Sequence, residues 1–379
     1  MMDTAKKIIL ELKAAGFEAY VVGGAVRDML LGRAPHDTDV ATSALPEEVK
    51  RVFTRTVDTG IAHGTVLVLL DGEGIEVTTF RTEGAYTDHR RPDEVAFVRS
   101  LEEDLKRRDF TINAMAMTEA MDIIDPFGGR KDLKDKRIRA VGNSVERFSE
   151  DALRMLRAIR FSGQLDFAID AETFAAIKHK ASLISSISIE RVKVELDKMF
   201  LHEQAPRSLG YLKEAKLNEH LPNGGLFEVD WTAYGATGNS LYGWAFMLHR
   251  GGFDVSALRQ YKLANDEKKQ LSSTLLAASL ETWDAWTYYS IGTEALEMAA
   301  ELTARKVAIS EEKSRLPIAH KQEMAINGKD LMEWAEQKQG PWLKEWIGRI
   351  ERAIVSGKLP NDPGTIKDWF QTKFPTQDE

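Results

Sequence analysis

Residues 19–42 read AYVVGGAVRDMLLGRAPHDTDVAT, and two features of that run set the expected architecture. In the first, a β-branched stretch, Tyr20-Val21-Val22, enters Gly23-Gly24 and continues as Ala25-Val26-Arg27-Asp28. A strand passing through two glycines into a helix lets backbone N–H groups at the helix N-terminus approach a phosphate, with Arg27 facing the same anion. By itself a Gly-Gly pair is equally a tight turn. A dinucleotide site is excluded, because G-x-G-x-x-G is absent and no acid closes a second βαβ strand.

The second feature is His36-Asp37-Thr38-Asp39-Val40. If this is a strand, its two-residue period puts Asp37 and Asp39 on one face. Two carboxylates side by side repel unless a divalent cation neutralises them. Two Mg²⁺ ions about 3.5–4 Å apart can clamp the attacking and the leaving oxygen of a phosphoryl transfer. A lone Asp-x-Asp is ordinarily a solvated turn, but this one follows a phosphate-type turn by about a dozen residues, which points to metal. Glu76, within Gly74-Ile75-Glu76-Val77-Thr78, is a candidate third carboxylate from a neighbouring strand.

Outward from this run, GTVLVLL and EGIEVTTF are further strand-like stretches, and the pattern up to about residue 140 mixes short strands with short helices. From about Val145 it turns helical, with ALRMLRAIRF, ETFAAIKHKASLI and SIERVKVELDKMFL carrying apolar residues three and four apart. The expected fold class is therefore α+β. A Gly- and Asn-rich stretch at 221–240 marks a boundary, and all eight tryptophans lie in it or beyond it, Trp231 within it, expected to pack helix on helix.

The 379 residues suggest two or three domains. The absence of cysteine excludes a disulfide framework, a thiol nucleophile and thiolate metal sites. No apolar run reaches the roughly 18 residues of a membrane helix. The N-terminus reads as an amphipathic helix interrupted by Glu11 and Lys13, not a signal peptide, so the cytoplasm is expected. Net charge is −8, against a protein that coats nucleic acid. Yet residues 130–160 carry ten basic and five acidic side chains, a local stripe that suggests a bounded phosphate site or else a solvated helix face.

Two further motifs carry chemistry. Arg107 and Arg108 precede an apolar segment and can hold a triphosphate or a sugar, unless Asp104 and Asp109 are simply their ion-pair partners. The spacing also predicts a helix over 150–160 in which Asp151 and Arg154 share a face, with Arg157 about 60° further round and Arg160 opposite Asp151. A carboxylate beside a guanidinium offers an acceptor beside a donor. That pair matches the amino donor and ring-nitrogen acceptor of cytosine and adenine and rejects uracil and guanine. The alternative is an intrahelical salt bridge worth a few tenths of a kcal/mol.

Together the motifs resemble the bacterial class II tRNA nucleotidyltransferases, or CCA-adding enzymes, relatives of bacterial poly(A) polymerases. The resemblance rests on GGAVRDMLLGRAPHDTDVATSALP, TGIAHGTVLVLL, EVTTFR, RRDFTINAMA, DPFGGRKDL, IRAVGNSVERFSEDALRMLRAIRF and SIERVKVEL, in order over roughly residues 18–200, with INGKDL and GPWLKEW in the tail. It implies a nucleotidyltransferase-fold β-sheet head (1–140), a helical neck bearing the base template (141–205), a helical body (206–315) and a tRNA-binding helical tail (316–379), arranged like a seahorse.

By the same resemblance Asp37 and Asp39 are the catalytic ligands of two Mg²⁺ ions. Gly24, Arg27 and Arg108 contact the nucleoside triphosphate, Asp151 and Arg154 template the incoming base, and Arg157 and Arg160 complete the nucleotide site. The wheel geometry supports Arg157 more than Arg160. Thr82–Arg99 occupies the position of the family's flexible loop, which favours full C, C and A addition from CTP and ATP to the 3′ end of tRNA, the partner being bound by its 3′ end and acceptor arm. An A-adding enzyme or a poly(A) polymerase is the alternative within the class, and an inactive RNA-binding relative the alternative outside it. No membrane partner is expected, and a homodimer is left open.

Overall fold

The structure, a computed structural model, describes residues 1–35, 37–60, 64–83 and 95–374. His36, residues 61–63 of TGIAHGTVLV and residues 84–94 of the Thr82–Arg99 segment lie outside the described residues. The chain forms two compact units, residues 1–240 with 260–262, and residues 241–259 with 263–379. The break falls at the end of the Gly- and Asn-rich stretch. The fold class is α+β.

The first unit is built on a mixed seven-stranded sheet. Its strands are β1 (Ala19–Val22), β2 (Asp39–Thr42), β3 (Thr56–Gly60), β4 (Thr65–Leu70) and β5 (Glu73–Thr79), then, after the short antiparallel pair β6 (Arg81–Glu83) and β7 (Val95–Phe97), β8 (Ala116–Met117) and β9 (Ile123–Ile124). The order is β3-β4-β5-β2-β1-β8-β9, with β2 and β5 parallel and every other neighbour antiparallel. Alternation fixes which face is dry: Ile75, Val77 and Thr79 of β5 are buried while Glu76 is exposed.

Helix α1 (Met2–Ala14) covers one side, burying Ile8, Ile9 and Leu12 completely at about 2 kcal/mol each. Helix α2 (Gly24–Leu30) follows β1 directly, and α3 (Pro46–Val52), with a proline in its first turn, packs on β4 and β5. The opposite side of the sheet is closed by Val22, Ala41, Phe80, Leu105 and Ala116.

Helices α4 (Leu101–Lys106) and α5 (Gly129–Lys134) complete the sheet region. Then come α6 (Ser144–Glu150), α7 (Leu153–Leu165), α8 (Ala171–Lys180), α9 (Ile189–Phe200) and α10 (Ala205–Glu214). Helix α7 is the hub of this helical part, packed against α9 and α10, with Leu153, Leu156 and Ile159 buried.

The second unit is helical throughout its described residues. Its core gathers Leu331, Trp346, Ile350, Ile354, Ile366 and Phe370, with Trp346 and Phe370 edge to face at 5.3 Å. Trp231, Trp244 and Trp346 are buried and the other five tryptophans half-buried, so packing accounts for them.

Close approach of α7 and α10 depends on Gly163. A Cβ there would lie 2.4 Å from Ser208 Oγ and 2.8 Å from the Gln204 carbonyl. Gly163→Ala is expected to destabilise the protein by about 1–3 kcal/mol, the usual cost of overpacking, read as an earlier midpoint in denaturant unfolding.

Candidate active site

Strand register brings the two features of residues 19–42 together. Val22 pairs with Asp39 across β1 and β2, and Asp39 pairs with Glu76 across β2 and β5. The glycine turn that follows Val22 therefore lies beside the acidic end of β2. Gly23 has φ +72°, open to glycine but costly for other residues, and a Cβ on it would come within 2.8 Å of Arg108 Nη1.

The turn opens on a cleft of about 710 Å³ in the first unit, lined by eight arginine and lysine side chains against five aspartates. All nine residues singled out from the sequence as site residues line it: Gly24, Arg27, Asp37, Asp39, Arg108, Asp151, Arg154, Arg157 and Arg160. The basic stripe at 130–160 is not one surface, however. Only its arginines at 154, 157 and 160 reach this cleft. Arg137, at the start of a two-residue strand paired with Ala168 and Ile169, bonds Asp170 instead, and Arg139 bonds Asp132.

On the sheet side, Arg27 is almost wholly buried. It donates to Asp28 Oδ1 at 2.9 Å and to Asn113 Oδ1 at 2.8 Å. Arg107 and Arg108 share the buried Asp104, at 2.9 and 3.3 Å. Burial pushes the Asp104 carboxyl up, but the two guanidiniums outweigh it and hold it below the ordinary range. Arg108 Nε is buried without a hydrogen-bond partner among the described residues, so that part of the fork is unsatisfied. Asp109 is instead bonded by Arg157 and Asn113.

The ladder of β2 begins at Asp39, so Asp37 precedes the strand. Exposure still alternates, Asp37 and Asp39 open and Thr38 and Val40 buried, so the two carboxylates keep one face. Neither has an ion-pair partner among the described residues. Desolvation and then the facing Glu76 push the Asp39 carboxyl up, Arg108 opposing and Asp37 adding. A crowded carboxylate pushed towards protonation is what a divalent cation relieves, so the donor set fits one. Glu76 sits in register with Asp39, but no three acidic or histidine side chains among the described residues converge as a ligand set.

The helical side departs from the helical wheel. No helix spans 150–160. Asp151 is extended, at φ −135° and ψ 103°, between α6 and α7. Its Oδ1 accepts from the Leu153 N–H two residues on, at 3.1 Å, a local bond that ends one helix and starts the next. Its Oδ2 accepts from Arg191 of α9 at 2.7 Å. Arg154 pairs with Glu150 at 2.5 Å and donates to the Arg107 carbonyl at 3.0 Å. Asp151 and Arg154 therefore do not form the intrahelical salt bridge. With Asp151 off the helix, the placing of Arg160 opposite it also fails, and Arg160 joins the same cleft.

Arg157 holds Asp109 Oδ2 through Nε and Nη2, at 2.8 and 2.6 Å. Arg160 binds the buried Glu195 at 2.6 Å. Sequence reasoning missed Asp109, Asn113, Phe161, Arg191 and Glu195 as site residues. The last two had a usable signal, since four residues apart on a helix they share the face that meets α7.

Three family models match the chain: the Poly A polymerase head domain over 19–139, the RNA and SrmB-binding site of polymerase A over 166–224, and tRNA nucleotidyltransferase domain 2 over 239–370. The CCA-adding enzyme of Geobacillus stearothermophilus is 43% identical, covering 98% of this chain and 97% of that protein. The chain belongs to the CCA-adding enzymes. The Bacillus cereus (strain ATCC 10987 / NRS 248) CCA-adding enzyme is 42% identical, with 97% of each chain covered. The crystal structure of the Bacillus stearothermophilus CCA-adding enzyme in complex with CTP superposes with a TM-score of 0.89 at 40% identity, covering 98% of this chain and 97% of that one. Nucleotidyltransferases of this family generally use divalent metal ions.

The most perturbed acid in the cleft is Asp109. Burial pushes its carboxyl up, but Arg157, Asn113 and Arg154 prevail and hold it at about 2. A carboxyl lowered on folding stabilises above its unfolded value of about 3.9, and the contribution disappears as pH falls towards 2. Asp109→Asn should therefore cost about 2 kcal/mol at pH 7, with the deficit shrinking below about pH 4 in paired urea titrations.

Proposed function

We infer that this chain adds C, C and A to the 3′ end of tRNA, taking CTP and ATP as substrates and acting in the cytoplasm. One observation carries the reading: an Asp-x-Asp pair, a glycine turn and the Asp151 and Arg154 side chains line a single cleft. The tRNA 3′ oxygen attacks the α-phosphorus, its proton is lost, and the bond to pyrophosphate breaks. Asp37 and Asp39 would hold two Mg²⁺ ions, which when bound supply charge neutralisation and lower the pKa of the attacking hydroxyl.

The chain's own residues bind and select. Gly24 lets the triphosphate approach the backbone, and Arg27 and Arg108 neutralise it without reorganising, because Asp28, Asn113 and Asp104 already orient them. Arg157 and Arg160 add donors from α7. Asp151 accepts the exocyclic amino group of cytosine or adenine, and Arg154 donates to the adjacent ring nitrogen. Each is held by other residues and not by its partner, so neither charge is cancelled within the pair. We further divide the chain into head (1–140), neck (141–205), body (206–315) and tRNA-binding tail (316–379).

Incorporation on a tRNA transcript lacking CCA, resolved at single-nucleotide length, tests this directly. Two additions with CTP and three with CTP plus ATP are expected. A long ladder from ATP alone would make the chain a poly(A) polymerase, and addition only to a CC-ended tRNA an A-adding enzyme. Asp37→Ala or Asp39→Ala should abolish incorporation while melting stays near wild type. Arg154→Ala should lower activity and relax the choice of C and A over U and G by about 10–100-fold, one lost bidentate match.

A further inference from the structure

We propose that Phe161 is a positioning residue of the nucleotide site, its ring holding Arg27, Arg157 and Arg160 at a fixed spacing for one triphosphate. This rests on the nucleotidyltransferase reading above. Phe161 lines the cleft and is 4% exposed. The three guanidinium carbons lie 5.2, 5.5 and 4.0 Å from its ring centre, all within cation–π range. Arg27 comes from α2 and the other two from α7, so one ring joins cations from two elements. Its own orientation is fixed by Phe110, edge to face at 5.9 Å and 83°.

Acids alone do not account for this arrangement. Each of the three has its own acid, Asp28 for Arg27, Asp109 for Arg157 and Glu195 for Arg160, but these acids sit on three separate segments and none of them reaches all three cations. A further carboxylate would separate them only by consuming N–H donors and cancelling charge. An aromatic ring attracts a guanidinium without engaging those donors, which stay available to an anion. The ring supplies attraction and spacing, and the positive charge survives.

The test is steady-state incorporation on the tRNA transcript with full-length wild type, Phe161→Leu and Phe161→Tyr. Leucine keeps the site apolar but lacks the ring quadrupole, so KM for CTP and for ATP should rise together by about tenfold, with kcat within about twofold and the melting temperature near wild type. Because the triphosphate is common to both substrates, discrimination against UTP and GTP should not change. Phe161→Tyr should restore KM to within about threefold. Should the leucine variant misfold, Phe161→Met replaces it.

Wild-type KM without the ring, equal losses in the leucine and tyrosine variants, or a loss confined to kcat would overturn the proposal. An active wild type with any of these outcomes would sink this inference alone. A wild type inactive on tRNA would sink the nucleotidyltransferase reading as well.

Discussion

The bond between the Asp109 carboxylate and the Arg157 guanidinium is the tie on which the cleft depends. Asp109 belongs to the segment leading into β8, and Arg157 to α7, so this bond fastens the sheet to the helices. It extends both ways. Asn113 donates to Asp109 at 3.1 Å and accepts from Arg27, and Arg157 continues through Glu195 to Arg160. One chain of charged and amide groups thus runs from α2 to α9. In such a chain the groups are mutually dependent, since removing one leaves a partner desolvated and unpaired.

Strand register does the complementary work on the other wall. Val22, Asp39 and Glu76 stand abreast on three adjacent strands: the antiparallel pairing of β1 with β2 puts the acidic end next to the glycine turn, and the parallel pairing of β2 with β5 brings Glu76 beside Asp39. The spacing between turn and aspartates is thereby converted from a separation along the chain into contact around one opening.

Local chemistry was readable from the sequence, and long-range pairing was not. Tyr20-Val21-Val22 into two glycines announced β1 and α2, the alternation through EGIEVTTF announced β5, and the apolar spacing of SIERVKVELDKMFL announced α9. Short strands such as β8 and β9 carry too few residues for a period to register. The helix drawn through Asp151 failed because periodicity takes no account of a side chain capturing its own backbone, which is what Asp151 does at Leu153. The partners of Arg157, Arg160 and Asp151 lie 35 to 48 residues away, and nothing at the level of spacing links them. The tryptophan-rich region was legible as helical because its aromatics only pack, and packing leaves a periodic trace.

The arginines of this cleft come with counterions built in: Asp28, Asp104, Asp109, Glu150 and Glu195, all from the same chain. A protein of net charge −8 can therefore keep a cationic pocket without being a sink for any passing polyanion. The acids act as a charge buffer: they hold the guanidiniums in place for an incoming phosphate and at the same time offset part of the attraction it feels. Affinity for any one anion is thereby moderated, which suits a surface that must load and empty repeatedly on the same end of a chain.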